Sequence, residues 1–133
     1  MTIDDLQQQF PTSEWPKFLD VHISETTYTL TLQLSAGIKW FEGHFPQQPI
    51  LAGVVQTHWA AEIGKRVFAI EGDLARIDNL KFQSVIHPEQ VLQLVLNHSP
   101  ESNALKFSYR SNALNFSEGK FIFQSALSEK VAE

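Results

Sequence analysis

Trp40-Phe41-Glu42-Gly43-His44-Phe45-Pro46-Gln47-Gln48-Pro49-Ile50-Leu51-Ala52-Gly53-Val54-Val55-Gln56-Thr57-His58-Trp59-Ala60-Ala61 is the stretch on which the reading of this chain turns. Its first half is a constrained loop. Pro46 and Pro49 fix their own φ angles and push Phe45 and Gln48 toward extended backbone, away from helix. From Gly53 the pattern changes: Val54, His58, Ala61 and Lys65 recur at the spacing of one helix face, and Gln56, Ala60, Ile63 and Val67 at that of another. A helix of about 15 residues, roughly 22 Å long, is predicted from Gly53 onward. Being mostly apolar in a small chain, it is expected to be buried on most sides as the central packing element. The free amides of its first turn point back toward the loop that carries His44.

The remaining sequence supplies what such a helix packs on. Phe18–Ser24 and Tyr28–Leu34 alternate apolar and polar residues with period two, the mark of half-buried strands, and the short Glu25-Thr26-Thr27 link makes them an antiparallel hairpin. Tyr28, Leu30, Leu32 and Leu34 share the face that should meet the helix. Beyond the helix, a turn at Glu71-Gly72-Asp73 leads to a less regular strand over Ala75–Gln83. Pro88-Glu89 launches Val91–Asn97, and Pro100–Asn103 turns into a strand with Leu105, Phe107 and Tyr109 on one side. Ser117-Glu118-Gly119 is read as a further turn before a last strand from Lys120 to Leu127. A short helix over residues 4–10 should end at Pro11. The order of two strands, one long helix and four strands is that of an α+β domain, a curved antiparallel sheet around one helix.

Length and composition bound the function. At 133 residues the chain is read as one domain, residues 1–133 with a core at about 15–128. With no cysteine there is no disulfide, thiolate nucleophile or sulfur-ligated metal. A net charge of −5 argues against nucleic acid as a partner. No apolar run reaches membrane-spanning length and the acidic start is unlike a signal peptide, so a cytoplasmic protein is expected. The five histidines lack metal-binding spacing, and no metal is expected. A glycine-rich phosphate loop is absent too.

Gly43-His44-Phe45-Pro46, followed at fixed spacing by Pro49-Ile50 and Gly53-Val54, resembles the signature of the 3-hydroxyacyl-[acyl carrier protein] dehydratases. The continuation Val54-Val55-Gln56-Thr57-His58-Trp59-Ala60 is more like the ApeI-type branch of aryl-polyene biosynthesis. Leu80-Lys81-Phe82, Val85 and Pro88 are similar to the family's strand and turn after the helix, and Gly119 to the glycine of the hairpin before its last strand. The resemblance implies a hotdog fold, paired as a homodimer with two active sites at the interface. Its substrate is an acyl chain on the phosphopantetheine arm of an acyl carrier protein, and no other cofactor is used.

The same resemblance assigns roles. His44 carries acid–base chemistry, and Gly53 offers its backbone N–H to the thioester carbonyl. Where the family has a Glu or Asp on the helix of the other subunit, this chain has His58. The chemistry suits these residue types. Imidazole keeps a large neutral fraction near neutral pH, and a helix-start amide is preorganised for a developing oxyanion. His58 has two readings, a core histidine among Val54, Trp59 and Ala61, or the group that protonates or orients the leaving hydroxyl. Glu62, four residues on, lies on the same side of the helix and could polarise His58 or replace the missing carboxylate. Gln56 could bond the loop or the substrate, with a structural contact favoured. Phe45, Pro49, Val54, Trp59 and Trp40 are the candidate substrate-lining residues. An acidic carrier would require a local basic patch, for which Lys39, Lys65, Arg66, Arg76 and Lys81 are candidates. Two alternatives to dehydration stay open: a hotdog acyl thioesterase, and a non-catalytic hotdog partner in a heterodimer with an active subunit.

Overall fold

The computed structural model describes residues 1–38, 50–112 and 114–124. The chain orders as α1 (Ile3–Gln9), β1 (Lys17–Ser24), β2 (Thr27–Gln33), α2 (Gly53–Val67), β3 (Leu74–Phe82), β4 (Val91–Ser99), β5 (Ala104–Ser111) and β6 (Leu114–Phe123). The strands form one antiparallel sheet in the order β1-β2-β4-β5-β6-β3. This is the expected α+β architecture. α1 begins on a reciprocal cap: the Thr2 hydroxyl accepts from the Asp5 amide, and the Asp5 carboxylate accepts from the Thr2 amide.

Period-two alternation sets the inner face of the sheet. Leu30 and Leu32 of β2, Leu92, Leu94 and Leu96 of β4, and Leu105, Phe107 and Tyr109 of β5 are all buried. Cross-strand pairing aligns them in rows. One row runs Leu30, Leu94, Tyr109, Ser117 and Phe82 across β2, β4, β5, β6 and β3. The opposite face is polar, and there Lys106 of β5 stands directly across from Lys120 of β6.

α2 lies over the inner face. Val55, Gln56, Trp59, Ala60, Ile63 and Gly64 are buried, while Val54, His58, Glu62 and Arg66 are exposed. The expectation of a helix buried on most sides is therefore corrected. One sheet covers only one side of a helix, and the residue stretch around Trp15 covers a flank. Close approach is possible because Gly64 has no side chain, and a β-carbon there would run into Leu105. Lys65 and Arg66 occupy the last turn, where cations complement the helix dipole.

Two sequence expectations about β6 and β3 need amending. Ser117-Glu118-Gly119 is not a turn but the middle of β6, so Gly119 is not a hairpin glycine either. The chain reverses earlier, around Asn112, whose φ is +50°. Ser117 and Gly119 face inward, and a β-carbon at Gly119 would come within 2.7 Å of the Phe107 ring. Small residues here serve the core rather than a bend. The irregular alternation of β3 has a structural cause: its register against β6 shifts between Asp78 and Lys81, with Asn79 at φ +55°. The last strand is described only to Phe123, and residues 125–127 lie outside the described residues.

Candidate active site

Four of the residues proposed from sequence, His44, Phe45, Pro49 and Trp40, lie outside the described residues, as does Lys39. Gly53, Val54 and His58 lie on the first two turns of α2, with Trp59 and Glu62 further along it.

Ala52 is the N-cap, with extended backbone and no side chain able to accept from the first turn. The amides of Val55 and Gln56 both reach the Ala52 carbonyl, at 3.1 Å each. Among the described residues no acceptor takes the amides of Gly53 or Val54. Ser, Thr, Asp or Asn at the cap would claim one of these donors itself; alanine leaves them for another acceptor. The backbone leading in is fixed from outside the helix, because the Leu51 amide donates to the Ile86 carbonyl at 2.8 Å. Gly53 is approached by the ring of Phe82, which closes the inner row at the free edge of the sheet.

His58 sits on the exposed face of α2, one turn beyond Val54, which is 75% exposed. The reading of His58 as a core histidine is set aside: its ring is exposed and lies tilted on Trp15, centroids 5.2 Å apart. Glu62 follows one turn on and is exposed as well, and among the described residues no hydrogen bond or ion pair joins it to His58. Trp59 points the other way. It is fully buried, its indole N–H donates to the Glu14 carbonyl, and it stacks with Trp15. In this chain Trp59 is a core residue that helps hold the Trp15 loop beneath His58.

Sequence reasoning underrated the polar core below the helix start. Gln56, 3% exposed, donates from Nε2 to the Leu51 carbonyl at 3.0 Å and accepts at Oε1 from the Ser117 hydroxyl at 2.6 Å. Its own carbonyl accepts from the Tyr109 hydroxyl at 2.7 Å. Burial pushes the Tyr109 phenol well above its ordinary pKa, against a smaller opposing pull from the Ala60 backbone. The available signal was a glutamine on an otherwise apolar helix face, which must find partners when buried.

The candidate basic residues do not form one patch. Lys65 lies over the Phe123 ring, its Nζ 5.9 Å from the centroid, and Arg66 is beside it at the helix end. Arg76 is paired to Asp78 at 3.1 Å, and Lys81 is on β3. A separate groove of about 780 Å³ on the outer sheet face brings together Lys106, Arg110 and Lys120 with Glu118. His98 is tied to Asn103 and packs on Phe68, a structural role. Among the described residues no cluster is suited to a metal, and no helix is long and apolar enough to cross a membrane.

The family model for ApeI-like proteins, described as ApeI dehydratase, matches residues 20–120. The chain belongs to the ApeI-like dehydratase family. Within that match lie the whole of α2 and all six strands except the first residues of β1 and the last of β6. The ApeI-like chain is 31% identical over 68 residues to the 3-hydroxyacyl-[acyl-carrier-protein] dehydratase FabZ of Bacillus subtilis (strain 168). That match covers 46% of this chain and 48% of the relative, so it spans about half the length of the curated protein. In three dimensions it superposes on a chain of the dehydratase heterocomplex ApeI:P from Xenorhabdus doucetiae, with a TM-score of 0.77 and 28% identity. The superposition covers 83% of this chain and 98% of that one. An uncharacterized protein from Erwinia carotovora subsp. atroseptica gives a TM-score of 0.70 at 33% identity, covering 84% and 98%. The ApeI-like chain thus has the hotdog fold, a curved antiparallel sheet against one long helix.

Proposed function

We propose that this chain removes water from a 3-hydroxyacyl thioester carried on an acyl carrier protein, giving the trans-2-enoyl thioester, in fatty-acid-like or aryl-polyene synthesis. The observation that carries the reading is the start of α2: two backbone amides, at Gly53 and Val54, with no acceptor among the described residues, in a chain of a dehydratase family. The reaction needs a base for the C2 proton and donors for the negative charge that builds on the thioester oxygen. It also needs an acid for the departing C3 hydroxyl. In this reading His44 takes the C2 proton and the Gly53 amide holds the oxygen, helped by the positive end of the helix. His58 donates a proton to the hydroxyl as the C3–O bond breaks, so that water leaves. The change is redox-neutral, so it asks for no electron-carrying cofactor.

His58 acts across a subunit boundary in this proposal. β3 is an edge strand of the sheet, and apolar Leu74, Leu80, Phe82 and Val85 on and after it are 40–50% exposed, beside exposed Val54. An apolar edge next to an apolar helix start suits another hotdog subunit, which would bury both. A copy of this chain is the first choice. The Xenorhabdus relative belongs to a heterocomplex, which favours a second reading in which a different hotdog subunit takes that place. Both versions operate in the cytoplasm, where carrier-bound acyl chains are built.

The test is to incubate the chain, alone and with a second hotdog subunit, with 3-hydroxyacyl carrier protein and follow the loss of water by mass spectrometry. Turnover by the chain alone supports the homodimer, and turnover only in the mixture supports the heterocomplex. Absence of water loss in both, with thioester hydrolysis in its place, overturns the dehydratase reading in favour of a thioesterase.

A further inference from the structure

We propose that Gln56 is a positioning residue for the oxyanion-binding amides at the start of α2, acting through the carbonyl of Leu51. The inference rests on the dehydratase reading for its kinetic consequence, but its structural content stands on hydrogen bonds alone.

Only Ala52 separates Leu51 from Gly53, and the Leu51 residue is gripped at both its polar groups. Its amide donates to Ile86, on the segment after β3, and its carbonyl accepts from Gln56 Nε2. Gln56 is not free to adapt. Ser117 of β6 holds Oε1, and Tyr109 of β5 holds the backbone carbonyl of the same residue. Gln56, Ser117 and Tyr109 are each at most 3% exposed, so no water replaces a lost partner readily. Ser117 and Tyr109 are paired in one row of the sheet, and that row ends at Phe82, whose ring lies against Gly53. The helix start is thereby referenced to two adjacent strands through one residue, by its side chain to β6 and by its backbone carbonyl to β5. Its N-cap, Ala52, supplies no such reference. An amide that must meet developing charge gains its effect from being aimed in advance, and a displacement of about 1 Å is enough to cost two orders of magnitude in rate.

Gln56→Met keeps the volume and removes both side-chain hydrogen bonds. In the assembled protein, below its unfolding temperature, Q56M is expected to lower kcat by about tenfold or more with KM within about threefold of wild type. Ser117→Ala removes only the donor to Oε1 and should lower kcat several-fold, and the double variant should be no worse than Q56M because the two act through one path. Gln56→Glu is the conservative rescue. A protonated carboxyl can donate to Leu51 and accept from Ser117, whereas a carboxylate cannot donate. Q56E should therefore recover kcat toward acid pH and lose it as pH rises, a dependence superimposed on the wild-type profile. The amide resonances of Gly53 and Val54 in isotope-labelled protein should shift in Q56M and S117A, with or without substrate.

Overturning results are a kcat within twofold of wild type in Q56M, or a fall in melting temperature with no kinetic change. Should Q56M fail to fold, an unchanged kcat and unmoved Gly53 resonance in S117A would overturn the proposal. Inactivity of the wild type refutes the dehydratase reading instead, and the resonance shifts then decide the positioning role by themselves.

Discussion

The ring of Phe82 rests against Gly53 so closely that a β-carbon at Gly53 would stand 2.7 Å from its Cζ. One residue opens α2 and the other closes β3, so the helix start and the free edge of the sheet meet at this contact. Phe82 is half exposed and can swing aside, and alanine is a better helix former than glycine. Gly53→Ala should therefore leave stability within about 1 kcal/mol of wild type. On the proposed role of the Gly53 amide, activity should nonetheless fall by at least about tenfold, because the methyl group has to displace the Phe82 ring beside the amide proposed to receive the thioester carbonyl. Paired melting and turnover measurements check this; parallel loss of both would mean the glycine serves only packing.

At the other end of the same helix the outcome is opposite. Gly64 faces Leu105 inside the core, and both are enclosed. Gly64→Ala should destabilise by about 1–3 kcal/mol through overpacking, readable as a lower denaturant midpoint with an unchanged slope. Leu105→Ala combined with it should recover less than Leu105→Ala alone loses, because a methyl group fills a leucine-sized space only in part.

His58 makes its ring contact with Trp15 at the surface, so its removal should cost little stability. His58→Ala is expected to keep the melting temperature within a few degrees and to reduce turnover by about 10²–10⁴, the range for a lost general acid. His58→Glu, which restores the carboxyl of the dehydratase signature, should retain part of the activity with a shifted pH profile. Unaltered turnover in His58→Ala would move the proton-donor role to Glu62 or water.

Tyr109 gives a pH prediction whose sign follows from burial. Its phenol has an unfolded-state pKa near 10.0 and a raised value in the folded chain. The folded state thus prefers the neutral form. The stability linked to that preference is complete below pH 10.0 and drains away as pH rises from there toward the folded value. Tyr109→Phe should lose about 1 kcal/mol near pH 7, from the missing bond to the Gln56 carbonyl, while showing a shallower decline above pH 10. Urea denaturation at neutral and alkaline pH compares the two slopes.

The helix and most strands were legible because their signals are local. Gly53 after a proline-rich loop marks the start of α2, and every-other-residue leucines mark β2 and β4. β6 was misread at Ser117-Glu118-Gly119 because small and polar residues in a row also spell a turn. What makes them strand is non-local: Ser117 answers Gln56, sixty-one positions earlier, and Gly119 yields space to Phe107. The exposed helix face was misjudged for a related reason. Val54 is apolar yet 75% exposed, and pattern alone equates apolar with covered by the same chain. His58 was recognised by its position in a motif, whereas Gln56 could be ranked only once its three partners were in view.

Gly53 and Gly64 are separated by about 16 Å along α2, and each is the spot where a ring or a leucine of the sheet presses onto bare backbone. Sliding the helix by a single turn would bring a side chain into both contacts. The pair therefore acts as two dowels, holding the rod in one longitudinal setting on the sheet. Any change in the space beside the start of α2 must then be made in this chain without translating the helix. On the proposed dehydratase reading, room for longer or bulkier acyl chains would come from exposed side chains on its outer face, such as Val54, and not from a change in where the helix begins.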